Sequence, residues 1–268
     1  MSDAAGVPSE HRGAGGGAHR SRWPPVAALS AGLLYLGVGL WFVGGSLVPA
    51  MLALALAGAG LVGVVVGLGG WAYEAFLEGM GSVPDGLYTG GMVLFLVSDV
   101  ATFAAGFVYY AFVRAGAWPP SELPGLLGSL VVLNTALLLA SSATLHYGHR
   151  ALEAGENRRF RRLLAATFVL GVLFVVGQAV EYYEFVVEEG FVVASGVFAS
   201  AFYGLTGLHG LHVALGVVML AVVTARAFRG DYAPGRDTSV RTVSLYWHFV
   251  DGVWLFLVAV LYIGAAVG

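Results

Sequence analysis

Seven long apolar stretches, almost free of charge, decide what this chain can become. They run Val26 to Gly44, Leu47 to Ala72, Leu87 to Val113, Leu123 to Tyr147, Leu163 to Val187, Ser195 to Ala227 and Val243 to Val267. An α-helix rises about 1.5 Å per residue, so roughly 20 apolar residues carry it across a hydrocarbon core about 30 Å thick. Such a helix also closes its backbone hydrogen bonds within itself, as lipid requires. Hydrophobic residues make up 58% of the chain and charged ones 11%, a balance too apolar for a soluble domain. The expected fold class is an all-α, multi-pass membrane protein with seven transmembrane helices.

Arginine placement gives an expected orientation, because cytoplasmic loops collect positive charge. All 13 basic residues are arginine. Arg12, Arg20 and Arg22 precede the first segment, Arg150, Arg158, Arg159, Arg161 and Arg162 follow the fourth, and Arg226, Arg229, Arg236 and Arg241 follow the sixth. With seven crossings these 12 share one side and Arg114 alone falls opposite, which places the N-terminus inside and the C-terminus outside. Residues 1–25 mix charge with a Gly/Ala run and show no apolar period, the pattern of a disordered tail. The expected organisation is that tail, helices one and two at 26–72, and helices three to seven at 87–268. Gly45-Ser46 is a link short enough to force a hairpin, and Trp118-Pro119-Pro120 reads as a rigid turn.

The cysteine count is zero, which excludes disulfides, thiolate metal sites and thiol catalysis. Walker, GxSxG and HExxH patterns are absent as well, so no self-contained active site is expected. What remains are polar residues where lipid should be, and each needs a partner or a task. Asp99 falls near the bilayer midplane of segment three, either as a proton-handling carboxylate or as a neutral acid hydrogen-bonded between helices. Segment six carries Tyr203, Thr206, His209 and His212 three apart on one drifting stripe. Beside them Gly196, Ser200 and Gly204, extended by Gly207 and Gly210, form a narrow surface that lets another helix approach. Segment seven brings Trp247, His248, Asp251 and Trp254. Asp251 matches the depth of His209, so a contact between them is allowed, as is one between His248 and Asp251 at i and i+3. For the histidines, hydrogen bonding between helices is favoured over a metal or haem site, so no metal is expected here. Gln178, Glu181, Tyr182 and Tyr183, with Glu184 after them, read as an anchoring polar belt near the outer interface. The Gly63 to Gly67 run, GVVVG, is a possible packing face.

Several strings resemble one family, subunit III of cytochrome c oxidases and related quinol oxidases. They are YWHFVDGVWLFL (246–257), FYGLTGLHGLHVALG (202–216), QAVEYYEF (178–185), LNTALLLASSATLHYGHRAL (133–152) and GMVLFLVSDVATF (91–103). The opening SRWPPVAALSAGLLYLGVGLWF (21–42) is similar to the family's first helix, so the resemblance spans nearly everything after the tail. It implies helices one and two splayed from a five-helix bundle around a lipid-holding cleft. It also implies a chain without haem or copper, which lie in partner subunits, packed with oxidase subunits I and II and with membrane phospholipid. No nucleic acid enters this picture. Such a subunit stabilises the catalytic subunit and supports proton uptake during aerobic electron transport and proton translocation. Gln178, Glu181, Tyr203, Thr206, His209, His212, Trp247, His248 and Asp251 would then form its polar or lipid-contacting framework. The family usually has glutamate where this chain has Asp99, which shortens the carboxyl's reach by one methylene. The expected location is the plasma membrane of a prokaryote. An accessory subunit of a nitric oxide reductase shares the motifs, and a proton-coupled transporter is the reading from another class. The missing internal repeats count against that transporter.

Overall fold

The computed structural model describes residues 21–43, 49–74, 85–116, 118, 125–126 and 128–266. The tail apart from residues 21–25, the Gly45-Ser46 link and the Pro119-Pro120 pair lie outside them. The described residues form seven long helices: α1 Trp23–Val43, α2 Ala50–Tyr73, α3 Asp85–Ala115, α4 Ser129–Glu153, α5 Asn157–Tyr183, α6 Val197–Arg229 and α7 Thr238–Leu257. Each is long and apolar enough to cross a membrane. The helices α5 and α7 end in π-helical turns, Glu184–Glu188 and Val258–Ile263. No strand occurs among the described residues.

Two helices, α5 and α7, start a full turn or more before the apolar runs suggested, and the reason is the same in both. The run Arg158 to Arg162 is wound into α5, because Phe160 and Leu164 are buried while Arg158, Arg159 and Arg162 are exposed. Phe160 meets Tyr232 edge-on, with ring centroids 6.0 Å apart. In α7 the buried Val240 sets the start at Thr238. Helix α6 ends at Gly230, whose φ of +87° turns the chain out of the helix, with Arg226 and Arg229 in its last turn facing the negative end of the helix dipole.

The chain divides into two compact units, residues 1–83 and 84–268. In the first, α1 and α2 pair through glycines. A Cβ on Gly67 would stand 2.8 Å from the Ala27 backbone, one on Gly60 would collide with Leu34, and one on Gly63 with Ser30. Lipid tails are as apolar as leucine, so close van der Waals approach between backbones holds such a pair together. The GVVVG run is one face of that seam. In the second unit α7 packs against α3, α4 and α6, and α5 lies between α4 and α6. Its core is aromatic: Trp247, Trp254, Tyr246, Phe174 and Phe202 are fully buried. Gly171 of α5 and Gly216 of α6 leave room for the Trp247 indole, which a Cβ at either position would approach to 2.8 Å.

Candidate functional site

The second unit's interior carries a set of polar contacts between helices. Asp99 of α3 and His212 of α6 are both turned inward, with His212 Nε2 2.9 Å from Asp99 Oδ2 in an approach oblique to the ring. His212 Nδ1 lies 2.7 Å from the Leu208 carbonyl, which can only accept, so Nδ1 donates. The imidazole therefore faces Asp99 with Nε2, in an approach that makes no hydrogen bond: Asp99 Oδ2 has no hydrogen-bond partner among the described residues. Phe103, 5.2 Å from the His212 ring, and Tyr246, stacked on it at 6.5 Å, wall the pair off. Tyr246 donates its hydroxyl proton to the His212 carbonyl at 2.9 Å.

The other residues of the α6 stripe go different ways. Thr206 donates to the Phe202 carbonyl at 2.7 Å and accepts from the Tyr182 hydroxyl at 2.6 Å. Tyr203 donates to the Phe191 carbonyl. His209 is fully buried, stacked on Trp254 at 5.3 Å, and neither of its ring nitrogens has a hydrogen-bond partner among the described residues. On α5, Gln178 donates to Glu181 at 2.8 Å, both side chains buried.

The row on α7 looks toward α4. Trp247 donates to Ser141 at 2.9 Å, Trp254 to Thr135 at 3.0 Å, and His248 Nδ1 pairs with Ser142 at 2.9 Å. The allowed contacts from Asp251 to His209 and to His248 do not form: His248 is taken by Ser142, and Asp251 is buried with no hydrogen-bond partner among the described residues. Sequence reasoning passed over α4 as a partner. The signal was the LNTALLLASSATL run itself, which sets Thr135, Ser141, Ser142 and Thr144 among leucines. It also weighed Asp99 and His212 separately, although both stand mid-helix on helices that pack together.

The narrow surface of α6 is not covered by the described residues of this chain. No described residue lies within 4 Å of a Cβ placed on Gly204, and Gly207 has only the Tyr182 hydroxyl at 3.9 Å. Gly196 precedes the helix, and its φ of +132° marks a turn that favours glycine. Ser200 donates to the Val197 carbonyl one turn back. Within this unit the helices instead close around Gly106, Gly171, Gly177 and Gly216, where Leu205, Trp247 and Asn134 fill the gaps. Arg114, the one arginine on the opposite side, donates to the Gly264 carbonyl and lies 4.2 Å over the Trp118 ring.

The two stripe histidines have different surroundings: His212 Nδ1 donates to the Leu208 carbonyl, while His209 lies stacked on Trp254. A second polar group sits at the far end of α4. There His149 Nε2 is 2.7 Å from Asp237 Oδ2, and Arg241 reaches both oxygens of Asp237 at 3.2 and 3.3 Å. Burial alone would raise the Asp237 pKa; the hydrogen bond from His149 and the charge and hydrogen bonds of Arg241 outweigh it and hold the carboxyl below its ordinary value.

Residues 18–266 match the family described as Cytochrome c oxidase subunit III. Among curated proteins the chain is similar to the cytochrome c oxidase subunit 3 of Oryctolagus cuniculus, 36% identical over 258 residues, and of Tetraodon nigroviridis, also 36% over 258. That of Sus scrofa is 35% identical over 260 residues. Each alignment covers 90% of this chain and 94% of the relative.

Proposed function

The chain belongs to the cytochrome c oxidase subunit III family, and from that premise we propose that it is the non-redox subunit of its oxidase. It is an integral membrane protein and a subunit III of a haem–copper oxidase, part of an oxidoreductase complex. In the proposed reading, haem and copper reside in the partner subunits I and II, and this chain stabilises the catalytic subunit and supports proton uptake. The observation that carries it is that several interior polar side chains, His209 and Asp251 excepted, are taken up by contacts between and within the helices: His212 Nδ1 by Leu208, His248 by Ser142, and the two tryptophans by Thr135 and Ser141.

Asp99 is the proposed proton-handling residue, supported by the burial of its carboxylate within a membrane-spanning helix, 2.9 Å from His212 Nε2. Gln178, Glu181, Tyr203, Thr206, His209, His212, Trp247, His248 and Asp251 are the proposed structural polar or lipid-contacting framework. Membrane phospholipid is the proposed bound partner of the outer faces. An apolar groove lined by Val100, Phe103, Phe107, Phe249 and Phe256 continues along α3 and α7 toward Arg114, which suits an acyl chain and an anionic headgroup. The proposed location is a prokaryotic plasma membrane with the arginine-rich ends inside, as the charge distribution supports.

Purification of the chain from its native membranes in mild detergent tests this, with mass spectrometry of the partners and an optical spectrum of the eluate. A haem- and copper-bearing catalytic subunit and oxygen reduction are expected. Arrival alone and colourless, or with a nitric-oxide-reducing partner, overturns the assignment.

A further inference from the structure

The polar group at the end of α4 has no part in the interior contacts, and its composition is that of a metal site. His149 and Glu153 stand at i and i+4 on one face of α4, and Asp237 arrives from the residue just before α7. One donor atom from each, the His149 imidazole nitrogen and one oxygen of either carboxylate, lies within 4.8 Å of the other two. An aspartate in front of a helix ordinarily caps it by accepting from the first-turn amides. Asp237 makes no such bond, and its carboxylate is held toward His149 instead.

We propose that His149, Glu153 and Asp237 bind a divalent transition-metal ion of the zinc class, which clamps the end of α4 to the start of α7. One imidazole and two carboxylates are a donor set for a borderline ion such as zinc, and too few oxygens for calcium or magnesium. Ligand bonds of about 2.0–2.2 Å around a tetrahedral ion place donor atoms about 3.3–3.6 Å apart. His149 and Asp237, now at 2.7 Å, need only spread slightly. Glu153 is exposed and free to swing inward, and water or another small ligand takes the fourth position. Arg241 is the present counter-charge of Asp237, and its side chain is 51% exposed, so it yields toward solvent as the ion takes its place. The ion would then replace a hydrogen bond and an arginine contact by three coordinate bonds joining two helix ends.

The test uses the intact oxidase complex, purified with a chelator, freed of it and equilibrated with graded zinc chloride. Bound zinc per complex is counted by elemental mass spectrometry, and the thermal midpoint is read in parallel. Relative to wild type, Glu153→Gln and His149→Gln are each expected to lose one bound zinc at low free zinc, with affinity at that site down at least tenfold. Zinc should raise the midpoint of the wild type more than that of either variant. Equal stoichiometry and affinity in the wild type and Glu153→Gln overturn the site. Because the Glu153 side chain lies outside the core, that variant decides the matter even where His149→Gln impairs assembly.

Discussion

At Asp99 a side chain one methylene shorter than glutamate still spans the α3–α6 interface, because His212 comes to meet it at 2.9 Å. Asp99→Asn has a clear outcome. The asparagine keeps the side chain's size and offers Nε2 an amide donor, so the helices stay together while the ionisable acid is gone. The variant complex should assemble in normal yield, with slower proton uptake and a shorter turnover lifetime. Unchanged uptake and lifetime would remove the proton-handling role and leave Asp99 as a tie between helices. Asp99 and His212 were each visible in the sequence as costly membrane residues; their pairing was not. Depth along a helix follows from counting at about 1.5 Å per residue, but the direction in which a side chain points depends on which helices become neighbours. The same gap explains Asp251, whose matched depth with His209 did not become a contact.

Helices α2, α5 and α6 all carry glycine faces, and the structure separates those gripped within the chain from those left open. Gly171→Leu puts bulk where the Trp247 indole already stands, an overpacking that typically costs about 1–3 kcal/mol. It should lower the thermal midpoint and the yield of the chain itself. Gly67→Leu should do the same through Ala27, by prising α1 from α2. Gly204→Leu meets open space, so the chain should fold at normal yield while co-purification of its partner subunits falls, the expected result if this stripe is where another transmembrane helix docks. A Gly204→Leu chain that itself misfolds would contradict the open face. Small-residue spacing was legible along the sequence, yet spacing alone could not tell an inner seam from an outer one. The helix starts show the limit from the other side. Apolar runs located all seven helices, but they stopped short of Asn157 and Thr238, where polar residues flank buried Phe160 and Val240.

For the whole molecule the number of crossings and their direction rest on different grounds. Seven helices follow from length and apolarity, which both the sequence and the structure display. Direction rests on arginine: 12 of 13 fall on one side of a seven-crossing chain, and the exception, Arg114, has its own partner in the Gly264 carbonyl. The sequence also makes direction easy to measure, since it contains no cysteine and a single introduced thiol has no background. Ala154 lies in the exposed turn between α4 and α5, beside the largest arginine run, and Ala194 lies in the exposed connection between α5 and α6. One crossing, α5, separates them. In intact cells or right-side-out vesicles treated with a membrane-impermeant maleimide, Ala194→Cys should label at once, and Ala154→Cys only after the membrane is opened. The reverse pattern would invert the chain and leave the arginines outside, against the usual charge bias. Labelling of both from the same side would mean that α5, despite its length, does not cross.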